Sequence, residues 1–370
     1  MQIKNFKTYD KYIFKQVLFA TLACIILFTI VWIAPETMLK VVRRTLNGTY
    51  TIPVGIQLLI YEVPKILNKA LPIGLFLGTL FTFDKLSKDS EITIFRTAGM
   101  SSERIMAPVI VFSLFITIIC FFVNNIVGPF SCNKLMELKE EEPSSNIVYI
   151  MKDEVERPKQ IVIIPDYSKK SASEPVIMNF SNIHYADASE LKEVIVGETG
   201  TINEDSLIIN NGRKYTINHQ GIFESVTKFE RYSAIPADKA PILYKLAQFK
   251  LHRDRDLTNA QLVEYMKLLK QEELQDDYRA NKNKLIQRYT HSLMCVLFAI
   301  FGCYLGFSRP REQRLTGFII AIAFTFFYYI TLPPVDVAAE KGLLSPYLTA
   351  MFHPILLMIF IYFTKKAKDV

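Results

Sequence analysis

The chain has 370 residues and a formal net charge of +7, with 50% hydrophobic and 21% charged residues. The apolar and charged residues are segregated into long runs, which excludes an ordinary soluble globular protein. The positive charge gathers in short clusters beside apolar runs, where it orients a membrane protein and gives no support to nucleic-acid binding.

A hydrocarbon core about 30 Å thick needs roughly 20 apolar residues in helical form. Windows between consecutive charges meet this need from Lys15 to Glu36, Arg104 to Lys134, Arg288 to Arg309, Arg314 to Asp336 and Lys341 to Lys365. A shorter window, Lys69 to Asp84, suffices if its helix starts near Tyr61, with Glu62, Lys65 and Lys69 at the interface or facing protein. This predicts three spans, a polar block, and three more spans. Lys4, Lys7, Lys11 and Lys15 precede the first span, Arg309, Arg311 and Arg314 separate the fourth from the fifth, and Lys365, Lys366 and Lys368 follow the sixth. Cationic flanks mark the cytoplasmic side, so both termini are expected there and the polar block outside. The first apolar run is too long for a cleavable signal peptide, and no small-residue cleavage site follows it.

Beyond the first span lie Lys40, Arg43 and Arg44, at i, i+3 and i+4 on one helical face. Positive charge is not usually concentrated in short outer segments. Phosphate groups of a lipid head group, held by charge-assisted hydrogen bonds, give it a use, and simple snorkelling at the interface is the bland alternative.

Between the second and third spans, the stretch from Leu71 to Arg104 carries more than a hairpin needs. Ser87 or Asp89 is placed to cap a short helix bearing Glu91, Ile92 and Phe95, which Gly99 can end. Ser101 then caps the third span, with Glu103 in its first turn. A nearly neutral helix with apolar knobs beside a carboxylate suits docking into a soluble partner's groove. The alternative is a helix lying on lipid, although such helices are usually basic.

From about Ile147 to Ile235 the pattern becomes short runs of β-branched and aromatic residues, including Gln160 to Ile164, Pro175 to Phe180 and Val194 to Val196. Asn211-Gly212, between Leu207-Ile208-Ile209 and Tyr215-Thr216-Ile217, is the clearest hairpin signal, and Ile222 to Tyr232 adds further strand. Many close-spaced strands predict an antiparallel sandwich or roll. Leu262, Met266 and Leu269 then restore a helical period, with Thr258 or Asn259 as N-cap, and predict an amphipathic helix leading back to the membrane.

Catalytic chemistry is not written in the chain. There is no G-x-x-x-x-G-K-[ST] phosphate loop, no G-x-S-x-G elbow and no H-E-x-x-H helix. The cysteines and histidines follow no disulfide or zinc spacing, and Cys132 is expected alone at the start of the outer block. Glu140-Glu141-Glu142 reads as a solvated rim. The cores of the spans hold no acidic residue for a proton relay, with Asp336 and Glu340 at an outer edge. These residues leave open a membrane-anchored scaffold or binding protein without transport activity, beside a transport subunit.

Over nearly its full length the chain resembles the permease subunits of the lipopolysaccharide exporter, the LptF/LptG type. The residues that carry the resemblance are Leu71-Pro72 opening the second span, then Leu86, Asp89, Ser90 and Glu91, followed by Arg96, Ala98 and Gly99; the Asn211-Gly212 hairpin and Pro354 in the last span add to it. The resemblance implies an α-helical membrane protein with six transmembrane helices and a periplasmic β-jellyroll inserted between the third and fourth. Expected boundaries are 1–133 for the first three helices with a coupling helix at about 84–100, 134–256 for the jellyroll, 257–284 for the connecting helix and 285–370 for the last three. It implies a subunit without catalytic residues, metal or cofactor of its own, in a bacterial inner membrane. Its implied partners are a cytoplasmic ATP-binding dimer, a second permease of the same family, a periplasmic jellyroll bridge and lipopolysaccharide. Asp89, Ser90, Glu91, Ile92, Phe95, Arg96 and Gly99 would then couple to the ATPase, and Lys40, Arg43 and Arg44 would hold lipid phosphates.

Overall fold

A computed structural model describes residues 8–138, 145–152, 157–168, 171–182, 189–203, 205–235, 239–251, 257–307 and 316–367. Lys4, Lys7, the Glu140 to Glu142 run, the Arg309, Arg311 and Arg314 cluster and Lys368 lie outside these residues. The chain divides into two compact units, one of residues 1–138 with 258–370 and the other of residues 139–257.

The first unit is helical. α1 (Thr8–Ile33) passes through a π-helical turn (Ala34–Met38) into α2 (Leu39–Leu46); α3 is Ile52–Lys88 and α4 Glu91–Thr97. α5 (Ser102–Phe122) passes through a second π-helical turn (Val123–Val127) into α6 (Gly128–Leu138). After the inserted residues come α8 (Asn259–Gln271), α9 (Gln275–Gly306), α10 (Thr316–Glu340) and α11 (Pro346–Ala367), α7 belonging to the second unit. Among the described residues six helical stretches are long and apolar enough to cross a membrane, in agreement with the six spans expected.

The second span differs from its expected form. It starts at Ile52, not near Tyr61, with proline in its first turn, so Leu71-Pro72 lies deep inside the helix and does not open it. Interior prolines survive in membrane helices when neighbouring groups take over the freed carbonyls. Pro72 cannot donate to the carbonyl of Asn68 four residues earlier, and His291 Nε2 donates to that oxygen instead, at 3.0 Å. The third span also runs further than expected, to Leu138, so Cys132 is buried within α6 rather than beginning the outer block.

α3 is the axis of the bundle, sandwiched between α1 and α9, and glycines set its spacing. A Cβ on Gly78 would lie 2.6 Å from Thr21 Cα, and one on Gly74 would lie 3.0 Å from Ile25 N. On the other flank a Cβ on Gly302 would lie 2.6 Å from Phe76 O, and one on Gly306 would lie 2.9 Å from Leu80 O. Both helices carry glycines four apart, Gly74/Gly78 and Gly302/Gly306, the small-residue spacing that lets membrane helices pack backbone to backbone. Around these seams Phe76 stacks on Phe301 with centroids 5.4 Å apart, and Phe298, Phe324 and Leu357 complete the apolar core.

The second unit is one antiparallel sheet with a helix. Its strands are β1 (Ser145–Lys152), β2 (Pro158–Ser168), β3 (Ser171–Ser173), β4 (Val176–Asn182), β5 (Ser189–Ile202), β6 (Leu207–Ile217) and β7 (Phe223–Ser233), followed by α7 (Ala240–Leu251). β3 and β4 share the place between β2 and β5, so the strands pair in chain order. Alternation buries Ile147 and Tyr149 in β1, Val162 and Ile164 in β2, and Leu207 and Ile209 in β6; Ile195 and Ile202 of β5, an odd number of residues apart, are buried as well. Leu243, Leu246 and Ala247 of α7 are buried as well, and α7 packs on β1, β2 and β5. Beside this closed region β7 is open, with Phe223 and Val226 exposed. Across β5 and β6, Lys214 bonds Glu193 at 2.9 Å. Burial pushes the Glu193 carboxyl up, but bonds from Lys214 and Asn179 outweigh it and hold the group below the usual carboxylate range.

The hairpin expected at Asn211-Gly212 does not form. Both residues lie inside the single strand β6, whose partners are β5 on one side and β7 on the other. The reason is local. Asn211 takes the left-handed φ of +50° without ending the strand, and Gly212 faces Gly197 while the Phe229 ring covers the place of its missing side chain. The turn lies one strand-length later, where Asn218 Oδ1 accepts from the backbone of Gln220 and Ile222, and Gly221 supplies a φ of +77°.

Candidate functional site

Two polar ends bracket the helical unit. The first surrounds α4. Asp89 closes α3, and Ser90 at φ +63° reverses the chain and starts α4 without a side-chain cap. Neither Ser87 nor Asp89 caps α4, as had been expected; the Ser87 hydroxyl donates instead to the carbonyl of Gly306, at 3.1 Å, tying α3 to α9. At the far end Gly99 (φ +82°) donates to Arg96 O and Met100 donates to Phe95 O, the paired bonds of a Schellman cap. Ser101 caps α5 as expected, accepting from Arg104 N.

The faces of α4 are divided. Ile92 is buried among Leu86, Ile105 and Met106, and Phe95 packs on the same cluster with its ring 6.1 Å from that of Tyr9. Glu91 Oε1 accepts from the Tyr12 hydroxyl of α1 at 2.9 Å. Arg96 is exposed, yet its guanidinium lies 5.1 Å over the Phe307 ring and donates to Ser102 Oγ. Asp89, Thr93, Thr97 and Gly99 are exposed, and so is Ile94 at 62%. Of the residues expected to couple, Ile92, Phe95 and Glu91 thus hold α4 to its own bundle. Ile94 is the apolar side chain turned outward, and the sequence reading missed it.

An ion pair beside α4 ties α1 to α5. Arg104 forks onto Asp10, with bonds of 3.1 Å to Oδ1 and 2.8 Å to Oδ2, and its guanidinium lies 5.0 Å over the Tyr9 ring. Asp10 is 2% exposed. Lys365 of α11 reaches Glu103 at 3.0 Å. These contacts join α1, α3, α4, α5, α9 and α11 at one end.

The opposite end carries α2. Val41 is buried against Leu58 and Leu135, which turns Lys40 and Arg43 outward, and both are exposed. Arg44 shares their face but turns aside: it donates to the Tyr50 hydroxyl at 2.8 Å and lies over that ring. The structure therefore presents two of the three expected cations to solvent.

Between the ends runs a partly buried polar layer that the sequence reading did not anticipate. Asn68 donates to Asn124, Asn124 to the Arg288 carbonyl, and Asn259 to Asn125. Arg288 donates to Asn259 Oδ1 at 2.6 Å, fixing α8 against α9. Asp336 accepts from Asn283 at 2.9 Å and from Gln287 at 2.6 Å, and Thr349 donates to Asn283. Because His291 donates through Nε2, its Nδ1 is left to accept from Tyr328, 3.2 Å away. The second π turn aims Asn124 and Asn125 into this layer. Among the described residues no group of histidine, cysteine or acidic side chains could hold a metal ion.

Sequence comparison agrees with this architecture. The family model for lipopolysaccharide export system permease LptF/LptG matches residues 11–366. The LptF proteins of Escherichia coli K12 and Shigella flexneri, curated as lipopolysaccharide export system permease proteins, are 20% identical over 354 residues, covering 91% of this chain and 88% of each relative. With six apolar helices and a β domain inserted between the third and fourth, this chain belongs to the LptF/LptG family of lipopolysaccharide export permeases, non-catalytic transport subunits of the inner membrane.

Proposed function

We propose that the chain is one half of a paired permease that takes lipopolysaccharide from the inner membrane, driven by a separate cytoplasmic ATP-binding dimer. The observation that carries this reading is α4. A seven-residue helix, fastened inward by Ile92, Phe95 and Glu91, offers Ile94, Thr93 and Thr97 outward at the end where Lys11, Lys15, Lys85, Lys88, Lys365 and Lys366 gather. That lysine excess supports a cytoplasmic location for this end and a periplasmic one for α2 and the β domain. In this reading α4 sits in a groove of the ATP-binding subunit, Lys40 and Arg43 receive the lipid phosphates, and the β domain passes acyl chains to a periplasmic bridge. α1 and α10, the least buried spans, leave apolar faces for lipid or the second permease. The test is Ile94→Asp. Ile94 is exposed, so the variant should fold with an unchanged melting temperature. A charge placed in the docked contact should weaken co-purification of the ATP-binding subunit on the order of tenfold or more. Undiminished co-purification with normal lipid-stimulated ATP hydrolysis would show that α4 is not the docking element.

A further inference from the structure

One cleft of the helical unit lies apart from the outward face of α4 and from the cations of α2. It is about 500 Å³ in volume and lies between α1 and α3, lined by Tyr12, Lys15, Gln16, Phe19 and Ala20 on one side and Phe81, Thr82 and Lys85 on the other. It opens one turn beyond the contact of Gly78 with Thr21, on the side toward α4. Lys15 and Lys85 are exposed, and among the described residues neither has an acidic partner. The Tyr12 hydroxyl and the amide of Gln16 add polar groups at the same level.

The polarity of the cleft has a direction. α1 and α3 are antiparallel, so ascending α1 and descending α3 both lead from the α4 end toward the membrane centre. Along α1 the order is Tyr12, Lys15 and Gln16, then Phe19 and Ala20; along α3 it is Lys85, then Thr82 and Phe81. Lys15 and Phe19, like Lys85 and Phe81, are four residues apart, about 6 Å along a helix. Cations therefore lie at the water side and aromatic rings about 6 Å deeper on both walls. Phe19 is 61% exposed and Phe81 44%, although Phe81 already meets Phe318 at 4.8 Å between centroids. A free anion would use the lysines and leave the rings idle. A protein side chain would not need the same gradient on both walls. A phospholipid matches it along its whole length: phosphate at the lysines, glycerol at Thr82 and Gln16, acyl chains on Phe19 and Phe81.

We infer that this cleft binds an anionic glycerophospholipid of the leaflet on the α4 side. The lipid would wedge between α1 and α3 beyond their glycine seam. It would thus bear on Tyr12, the residue that holds Glu91 of α4, and tie the coupling end to the lipid composition of that leaflet.

Native mass spectrometry of the full-length protein, released from nanodiscs of equal phosphatidylglycerol and phosphatidylcholine, reads the site directly. Wild type should retain phosphatidylglycerol selectively. The Lys15→Gln/Lys85→Gln variant should lose roughly tenfold or more of that retention, since each lysine near an anionic lipid surface contributes about a factor of five. Lys366→Gln removes an exposed lysine from the same end of α11 and should leave retention unchanged. Glycerol 1-phosphate, which has the head-group anion and no acyl chains, should fail to displace the lipid. Equal retention of both lipids, equal loss in Lys366→Gln, or no loss in the double variant would overturn the assignment. Ready displacement by glycerol 1-phosphate would show an anion site, and the lipid assignment would be wrong.

Discussion

Replacing Arg104 with leucine should destabilise the helical unit and break transmission from α4 into the spans. Asp10 is 2% exposed and takes both arms of the guanidinium, so the variant removes the cation that balances a buried carboxylate. Breaking a fully buried pair from one side costs about 3–5 kcal/mol, whereas an exposed pair is worth about 1 kcal/mol or less. The Arg104 side chain is 36% exposed, which places the expected loss between these bounds, at roughly 2 kcal/mol. The double variant Asp10→Asn/Arg104→Leu removes both charges and should recover much of the stability, because the cost lies in burying the carboxylate charge without Arg104 and not in the absent pair. Thermal melts of wild type, Arg104→Leu, Asp10→Asn and the double variant form a double-mutant cycle. Transport by the double variant should nevertheless stay low, since α1 and α5 are no longer joined beside α4. A cycle with no coupling energy, or normal transport in Arg104→Leu, would remove the ion pair from the transmission path.

The largest structural effect is expected from Gly78→Val. A Cβ there would lie 2.6 Å from Thr21 Cα and 2.7 Å from Thr21 N, so the conflict is with the backbone of α1 and not with a movable side chain tip. Overpacking a well-filled site costs typically about 1–3 kcal/mol even where neighbours can adjust, and here α1 itself must move. Little of the variant should survive extraction as folded protein. Thr21→Gly should not rescue it, because the clashing atoms include the backbone of Thr21. Gly55→Ala makes the contrast: its added carbon meets only Thr45 Oγ1 at 3.1 Å and Val41 Cγ1 at 3.3 Å, both side-chain ends, and should cost little. The yield of monodisperse protein after detergent extraction separates these cases. Similar yields for Gly78→Val and wild type would mean that α1 and α3 are not locked at this seam.

What was legible in the sequence follows from the strength of each local signal. Apolar runs of membrane length are hard to misread, so the six spans and the β insertion were visible at once. Helix ends were less so. Ile52 to Tyr61 belongs to α3 although Glu62, Lys65 and Lys69 interrupt its hydropathy, because buried Glu62 is satisfied by Lys65 at 2.9 Å. Asn211-Gly212 has the composition of a turn, and only pairing with β5 and β7 on both sides shows that it is a kink within a strand. In α4, a helix of two turns, Ile92, Ile94 and Phe95 are equally apolar by composition. Which of them faces inward depends on the left-handed turn at Ser90, a conformation uncommon outside glycine and not signalled by serine. The spacings Gly74/Gly78 and Gly302/Gly306 are plain in the sequence and mark helix seams. The partners Asp10 and Arg104, 94 residues apart, had no local signature at all.

Docked through α4, this chain is proposed to move lipopolysaccharide past the cations of α2. The direct test reconstitutes the purified chain with its paired permease and ATP-binding subunit into lipopolysaccharide-loaded proteoliposomes, adds the soluble bridge protein as acceptor, and measures lipid release to it with and without ATP. Wild type should release lipopolysaccharide only when ATP is hydrolysed. Lys40→Gln/Arg43→Gln should assemble and hydrolyse ATP but release at least about tenfold less, since each charge-assisted bond is worth roughly 1.5–3 kcal/mol before solvent screening. Steady ATP hydrolysis by the wild-type complex without lipid release, or release by the double variant at the wild-type rate across salt concentrations, would contradict the account.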